Sequence, residues 1–68
     1  MKHDFQKILG FLTSTGLTFR EIGDAIGTTG QTVSRIANGQ MPRHDHGEAI
    51  LAFYQKRKEE IVALMSQN

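Results

Sequence analysis

Three glycine-centred breaks cut the first forty residues of this chain into pieces with room for only two or three helical turns each. They read STGLT at 14–18, AIGTT at 25–29 and ANGQM at 37–41. Between them every apolar cluster recurs at helical spacing, and no stretch alternates with the period of two that a half-buried strand requires. Phe5, Ile8, Leu9 and Leu12 fall at i, i+3, i+4 and i+7, one face of a first helix. Gly16 ends it, and Leu17 can fold back over the last turn. The pattern predicts an all-α chain.

The starts are marked as clearly as the stops. Thr18 and Glu21 form a Thr-x-x-Glu capping box, with Leu17 and Ile22 as the flanking hydrophobic staple. The buried face of this second helix is expected to be Ile22, Ala25 and Ile26, with Gly27 at a sharp turn suited to positive φ. A third helix repeats the device, with Thr28 as cap and Gln31 three residues on. Its apolar residues are Val33, Ile36 and Ala37, and Asn38-Gly39 closes it. QMPR is then a loop, because Pro42 discourages helix at the residue before it.

Asp45 and Glu48 read as a further capping box, opening a long helix over about 46–67. Two apolar groups along it, Ile50/Leu51/Phe53/Tyr54 and Ile61/Val62/Leu64/Met65, are separated by QKRKEE. Ile50, Tyr54, Ile61 and Met65 share one face if the helix is unbroken. No Gly or Pro interrupts it, so a single helix of about 30 Å is expected, against a break near Arg57 to Glu59. The first group closes the core. The second, within 59–67, either packs against the first helix or meets a second copy of the chain. The whole predicts a compact domain of four or five helices over 1–68.

Bulk properties exclude more than they specify. The chain has 68 residues, near the lower limit for folding without a staple, and no cysteine to make one. No apolar run approaches the roughly 18–20 residues of a membrane span, and MKHDFQKILGFL does not read as a signal peptide. A cytoplasmic protein is expected. No nucleophile has a base at motif spacing and no phosphate-cradling glycine loop follows a strand, so neither an enzyme nor a small-molecule substrate is expected. His44-Asp45-His46 has only the distant His3 to complete a metal site, so neither metal nor cofactor is expected. QKRK at 55–58, followed by Glu59 and Glu60, reads as a solvated stretch rather than a polyanion contact.

The charge is uneven. Net charge is only +1, yet no acid occurs between Asp24 and Asp45, a window that holds Arg35 and Arg43. On a helix beginning at Thr29, Gln31, Ser34, Arg35 and Asn38 occupy an outer arc of about 100°. A merely solvated face would normally carry Lys and Glu. Amide, hydroxyl and guanidinium groups instead match the edges of base pairs and the oxygens of phosphates. Gly23, costing roughly 1 kcal/mol relative to Ala inside a helix, implies a close approach of the third helix to the second. Helix, glycine turn, helix with a polar outer face is a helix-turn-helix arrangement over 18–38.

LTFREIGDAIGTTGQTVSRIANG, residues 17–39, resembles the helix-turn-helix of the Cro and lambda-repressor-like (XRE-type) family of phage and bacterial regulators. The likeness lies in Gly23, Ile26, Gly27, Val33, Ile36 and Asn38-Gly39, and extends more loosely over 4–55. It implies a lambda-repressor-like DNA-binding domain whose recognition helix, 29–38, enters the major groove. Gln31 and Arg35, joined by Ser34, match base-reading positions. Thr28, Thr29, Asn38 and Arg43 match phosphate-contacting ones, with Thr32 in a mixed role. Phe19 stands where the family often has Gln, and Gly30 where it commonly has a polar reading residue. Arg35 can bond guanine bidentately and Gln31 adenine, each discriminating by about 1–3 kcal/mol.

The expected function is that of a transcriptional regulator binding a palindromic operator on double-stranded DNA, as a homodimer with half-sites about 34 Å apart. Ile61, Val62, Leu64 and Met65 are the expected dimer contact. Two alternatives stay open: a DNA-binding module for phage replication, recombination or packaging, and a protein-interaction adaptor or antitoxin-like protein without DNA binding.

Overall fold

Side-chain oxygens meeting orphan amides set where three of the four helices begin. The computed structural model describes residues 4–66, and its helices are α1 (Phe5–Ser14), α2 (Phe19–Ile26), α3 (Gly30–Ala37) and α4 (His44–Ser66). Asp4 caps α1, its carboxylate accepting from the Lys7 amide at 3.1 Å. The box on α2 forms as expected. Glu21 N donates to Thr18 Oγ1 at 3.1 Å, and Thr18 N to Glu21 Oε1 at 2.9 Å.

Two starts differ from expectation. Thr29, not Thr28, caps α3, its Oγ1 accepting from Thr32 N at 3.2 Å. Thr28 is held in the turn because its own amide donates to Gly23 O at 2.8 Å. Gln31 therefore takes no part in a capping box. The last helix starts at His44 rather than about residue 46, its first turn closed by Gly47 N on Arg43 O at 2.7 Å. Asp45 is then inside the first turn and not its cap. A carboxylate favours a helix N-terminus from either place, so the residue alone does not locate the boundary.

Leu9 and Leu12 of α1, Ile22 and Ile26 of α2, Val33 and Ile36 of α3, and Ile50 of α4 form the buried core. Phe5, Ile8, Phe11, Leu17, Phe19, Ala37, Ala49 and Phe53 pack around it. α2 and α3 pair most intimately, while α4 lies across α1 and α2. Ala25, expected inside, is exposed. The buried arc of α2 runs from Ile22 through Ile26 to Gly23, and at about 100° per residue Ala25 falls outside it. Gly23 is buried because α3 lies against it. A Cβ there would stand 2.6 Å from Thr29 C and 2.8 Å from Thr29 O, distances no side chain tolerates. Gly27, at φ +83°, turns the chain between the two helices.

α4 is one unbroken helix of 23 residues, about 34 Å long. The single helix expected from the sequence is found, and the alternative of a break near Arg57 to Glu59 is not. Arg57 is half-buried and caps the end of α1, donating from Nε to Thr15 Oγ1 and from Nη2 to Thr15 O, both at 3.1 Å. The reading of 55–58 as simply solvated is thus corrected at Arg57. Tyr54 meets Phe11 edge-on at 5.4 Å, and Lys58 Nζ lies 4.9 Å from the Tyr54 ring centre. Beyond that point the helix leaves the domain. Ile61 is half-buried, whereas Val62, Leu64 and Met65 are 60%, 66% and 71% exposed. Val62, Leu64 and Met65 are thus left uncovered by the rest of the domain, and Gln67 lies outside the described residues. Among the described residues no helix is long and apolar enough to cross a membrane.

Two glycines separate packing from propensity. Gly10, inside α1, has open space where a Cβ would go, so Gly10→Ala should stabilise by roughly 0.5–1 kcal/mol. Gly23→Ala gains the same propensity but should lower stability by at least about 1–3 kcal/mol through overpacking. Thermal melts of the two variants should move in opposite directions, and parallel shifts would refute the close approach.

Candidate functional site

The third helix presents its polar residues because its other sides are occupied. Val33 and Ile36 face the core. Gly30 rests on the first turn of α2, where a Cβ would stand 3.0 Å from Arg20 N and 3.3 Å from Phe19 C. That contact accounts for a glycine at this position, and Phe19 is taken up by packing against the core. The Gln31 and Arg35 side chains are left exposed, with no hydrogen-bond or ion-pair partner among the described residues. Ser34, beside them, is half-buried.

The helix end is fixed by a Schellman pair, Gly39 N to Ile36 O and Gln40 N to Arg35 O, both at 3.0 Å. Asn38 is exposed at this end, but its Nδ2 already donates to Ser34 O at 2.9 Å. The chain then returns along α3. As a result Thr28 and Thr32 line one shallow groove of about 310 Å³ with Gln40, Arg43 and His46, over a floor that includes Ile36 and Pro42. The volume is at the small end of ligand pockets. Thr29 stands outside this groove, its hydroxyl engaged by Thr32.

Of the expected site residues, the structure thus places Gln31, Ser34, Arg35 and Asn38 along the outer face. It gathers Thr28, Thr32 and Arg43 on one flank. Gln40 was not singled out by the sequence, and His46 was weighed only as a metal ligand. Their place follows from the Schellman turn and the early start of α4, and the Asn-Gly signal was the only hint of it.

The charges are more balanced than the acid-free window implies. Arg43 Nε lies 3.4 Å from Asp45 Oδ1, and His44 Nε2 lies 3.2 Å from Glu48 Oε1. Both pairs are largely exposed, so solvent screens them and neither contributes much to stability. Desolvation works against the Asp45 charge, yet the His46 amide and the Arg43 guanidinium together hold its carboxyl below the ordinary range. Asp45 therefore remains an anion beside Arg43. Among the described residues no group of three His, Cys, Asp or Glu side chains could hold a metal ion, and His3 lies outside them. No protein-family model, curated protein or solved structure matches the chain.

Acid should loosen the support beneath this face. Hydrogen bonds from the Thr18 amide and hydroxyl region, helped by Arg57, hold the Glu21 carboxyl below its usual 4.5. A group whose pKa is depressed by folding contributes stability above its unfolded value, and loses it as pH falls through the folded one. Denaturant midpoints should therefore drop as pH falls below 4.5, and Glu21→Gln should flatten that part of the profile. An unchanged profile in the variant would remove Glu21 from the account.

Proposed function

We propose that this chain is a sequence-specific double-stranded DNA-binding regulator of lambda-repressor-like fold, acting as a homodimer in a bacterial or phage-infected cytoplasm. One observation carries the reading. Gln31 and Arg35 stand exposed and unpartnered on an acid-free helix face, while the same helix is locked from behind by contacts at Gly23 and Gly30. A surface that must read base edges needs free donors on a rigid support. Arg35 and Gln31 contact bases, with Ser34 beside them. Thr28, Thr29, Thr32, Asn38 and Arg43 meet phosphates. Occupying an operator blocks or redirects transcription by steric means, with no cofactor required.

The exposed apolar end of α4 supports a second copy as partner. Val62, Leu64 and Met65 lie on a helix that projects from the domain, and a twofold pair places two recognition helices about one turn of duplex apart. The same surface favours a second reading, an adaptor that binds another protein and no DNA. Salt separates the two. Duplex affinity falls steeply between about 50 and 200 mM salt when several phosphates are neutralised, and an adaptor gives no duplex signal.

Selection from random duplexes should return a palindrome. Arg35→Ala should relax base preference at one position of each half-site, whereas Arg43→Ala should weaken all sequences alike, as read by anisotropy titration. Uniform loss in both variants would break the assignment of roles. Val62→Glu and Leu64→Glu should shift sedimentation towards the monomer, and an unaltered profile would move the dimer contact elsewhere.

A further inference from the structure

We infer that Arg20 is a phosphate-contacting residue, gripping the DNA strand on the far side of the major groove from the strand that Arg43 meets. This rests on the duplex reading above and adds a residue to it. In sequence Arg20 lies before the acid-free window, beside Glu21 and four residues ahead of Asp24. Folding brings it to α3. A Cβ built at Gly30 would stand 3.0 Å from Arg20 N and 3.1 Å from Arg20 Cα, so the first turn of α2 abuts the first turn of α3 backbone to backbone.

The flank matters. Around the axis of α3, Gly30 and Thr32 lie about 100° to either side of Gln31. Thr32 borders the groove that contains Arg43, while Gly30 borders Arg20. The exposed strip of Gln31 and Arg35 is therefore flanked by one arginine on each side. A major groove about 12 Å wide is likewise bounded by a phosphate backbone on each side. A helix seated in it meets both strands, and one cationic flank would leave the other strand unheld.

Nothing in the fold employs the Arg20 side chain. It is exposed, with no hydrogen-bond or ion-pair partner among the described residues. Asp24, at i+4 on the same helix, is not paired with it, and the Glu21 carboxylate is engaged with the Thr18 amide. A cation in the first turn also opposes the dipole of α2, so stability alone gives no reason for arginine there. A guanidinium offers a planar fork suited to two phosphate oxygens. Arg43 shares its charge with Asp45, which leaves Arg20 the less compensated of the two.

The test uses the full chain on its selected duplex. Arg20→Ala should lower affinity several-fold for selected and random duplexes alike. It should make the log–log salt slope shallower by about one per bound protomer, and by about two when combined with Arg43→Ala. The thermal midpoint should not fall. Duplexes carrying single methylphosphonates then locate the contact. The position whose neutralisation harms the wild type but not Arg20→Ala should lie on the strand opposite the one found with Arg43→Ala. Wild-type affinity and slope in Arg20→Ala, with Arg43→Ala impaired, would overturn the inference and leave the duplex reading standing, as would both arginines mapping to one strand. Failure of the wild type to bind any duplex in dilute buffer would overturn both together.

Discussion

The approach of two backbones at Gly23 governs the rest of the structure. α2 and α3 have eight residues each, too few to hold helical form alone in water. They persist because Ile22 and Ile26 share a core with Val33 and Ile36, and that core closes only if the backbones touch at Thr29 and Gly30. The contact falls on the cap of α3, since Thr29 is both the residue nearest Gly23 and the acceptor for Thr32 N. Separating the helices would therefore loosen the start of α3 as well as its packing. The direction in which Gln31 and Arg35 point is a consequence of where a side chain is missing on the neighbouring helix.

What could be read from the sequence divides along the range of the interactions. Thr18 with Glu21, the turn at Gly27, the Asn38-Gly39 end and the outward placing of Gln31 and Arg35 depend on residues within four positions of each other. Each was legible. Thr28 and Thr29 are both capable caps, and the choice between them is made by a bond from Thr28 N back to Gly23 O, which no local spacing specifies. Asp45 is acceptable to a helix start in either of two registers. Ala25 was assigned to the core by period alone, whereas the packing direction of α2 is turned towards Gly23 by its neighbour. Gln40 and His46 joined the groove for a similar reason, through the path of a loop. Arg57 is the extreme case, because its partner Thr15 lies 42 residues away and charge runs carry no sign of such a bond.

That bond gives α4 its second role. Thr15 Oγ1 accepts from Arg57 and lies 2.7 Å from Leu12 O, to which it donates. The end of α1 is thus closed by its own hydroxyl and by a cation from another helix, which also suits the negative end of the α1 dipole. Arg57 further attracts the Glu21 carboxylate, so one guanidinium serves the end of α1 and the start of α2. Partly buried and charge-assisted, these hydrogen bonds count for more than the exposed pairs at Arg43 and His44. As far as Arg57, α4 is a tie across the domain, and beyond it Val62, Leu64 and Met65 stay uncovered.

On the duplex reading, this division answers a problem of charge. With a net charge of only +1, one domain has few cations with which to displace counterions, and Arg43 is partly answered by Asp45. Weak general attraction is not purely a deficit. It lowers binding to the many competing sequences as much as to the operator, and leaves discrimination to the base-facing groups. Affinity must then come from engaging two half-sites at once, in which the second contact is made at a high effective concentration. A long helix that leaves the domain with Val62, Leu64 and Met65 uncovered is a means of joining two such domains without disturbing the face that reads. On that reading, the surface that would supply affinity and the surface that would supply choice are separate, and neither contains the buried residues of the core.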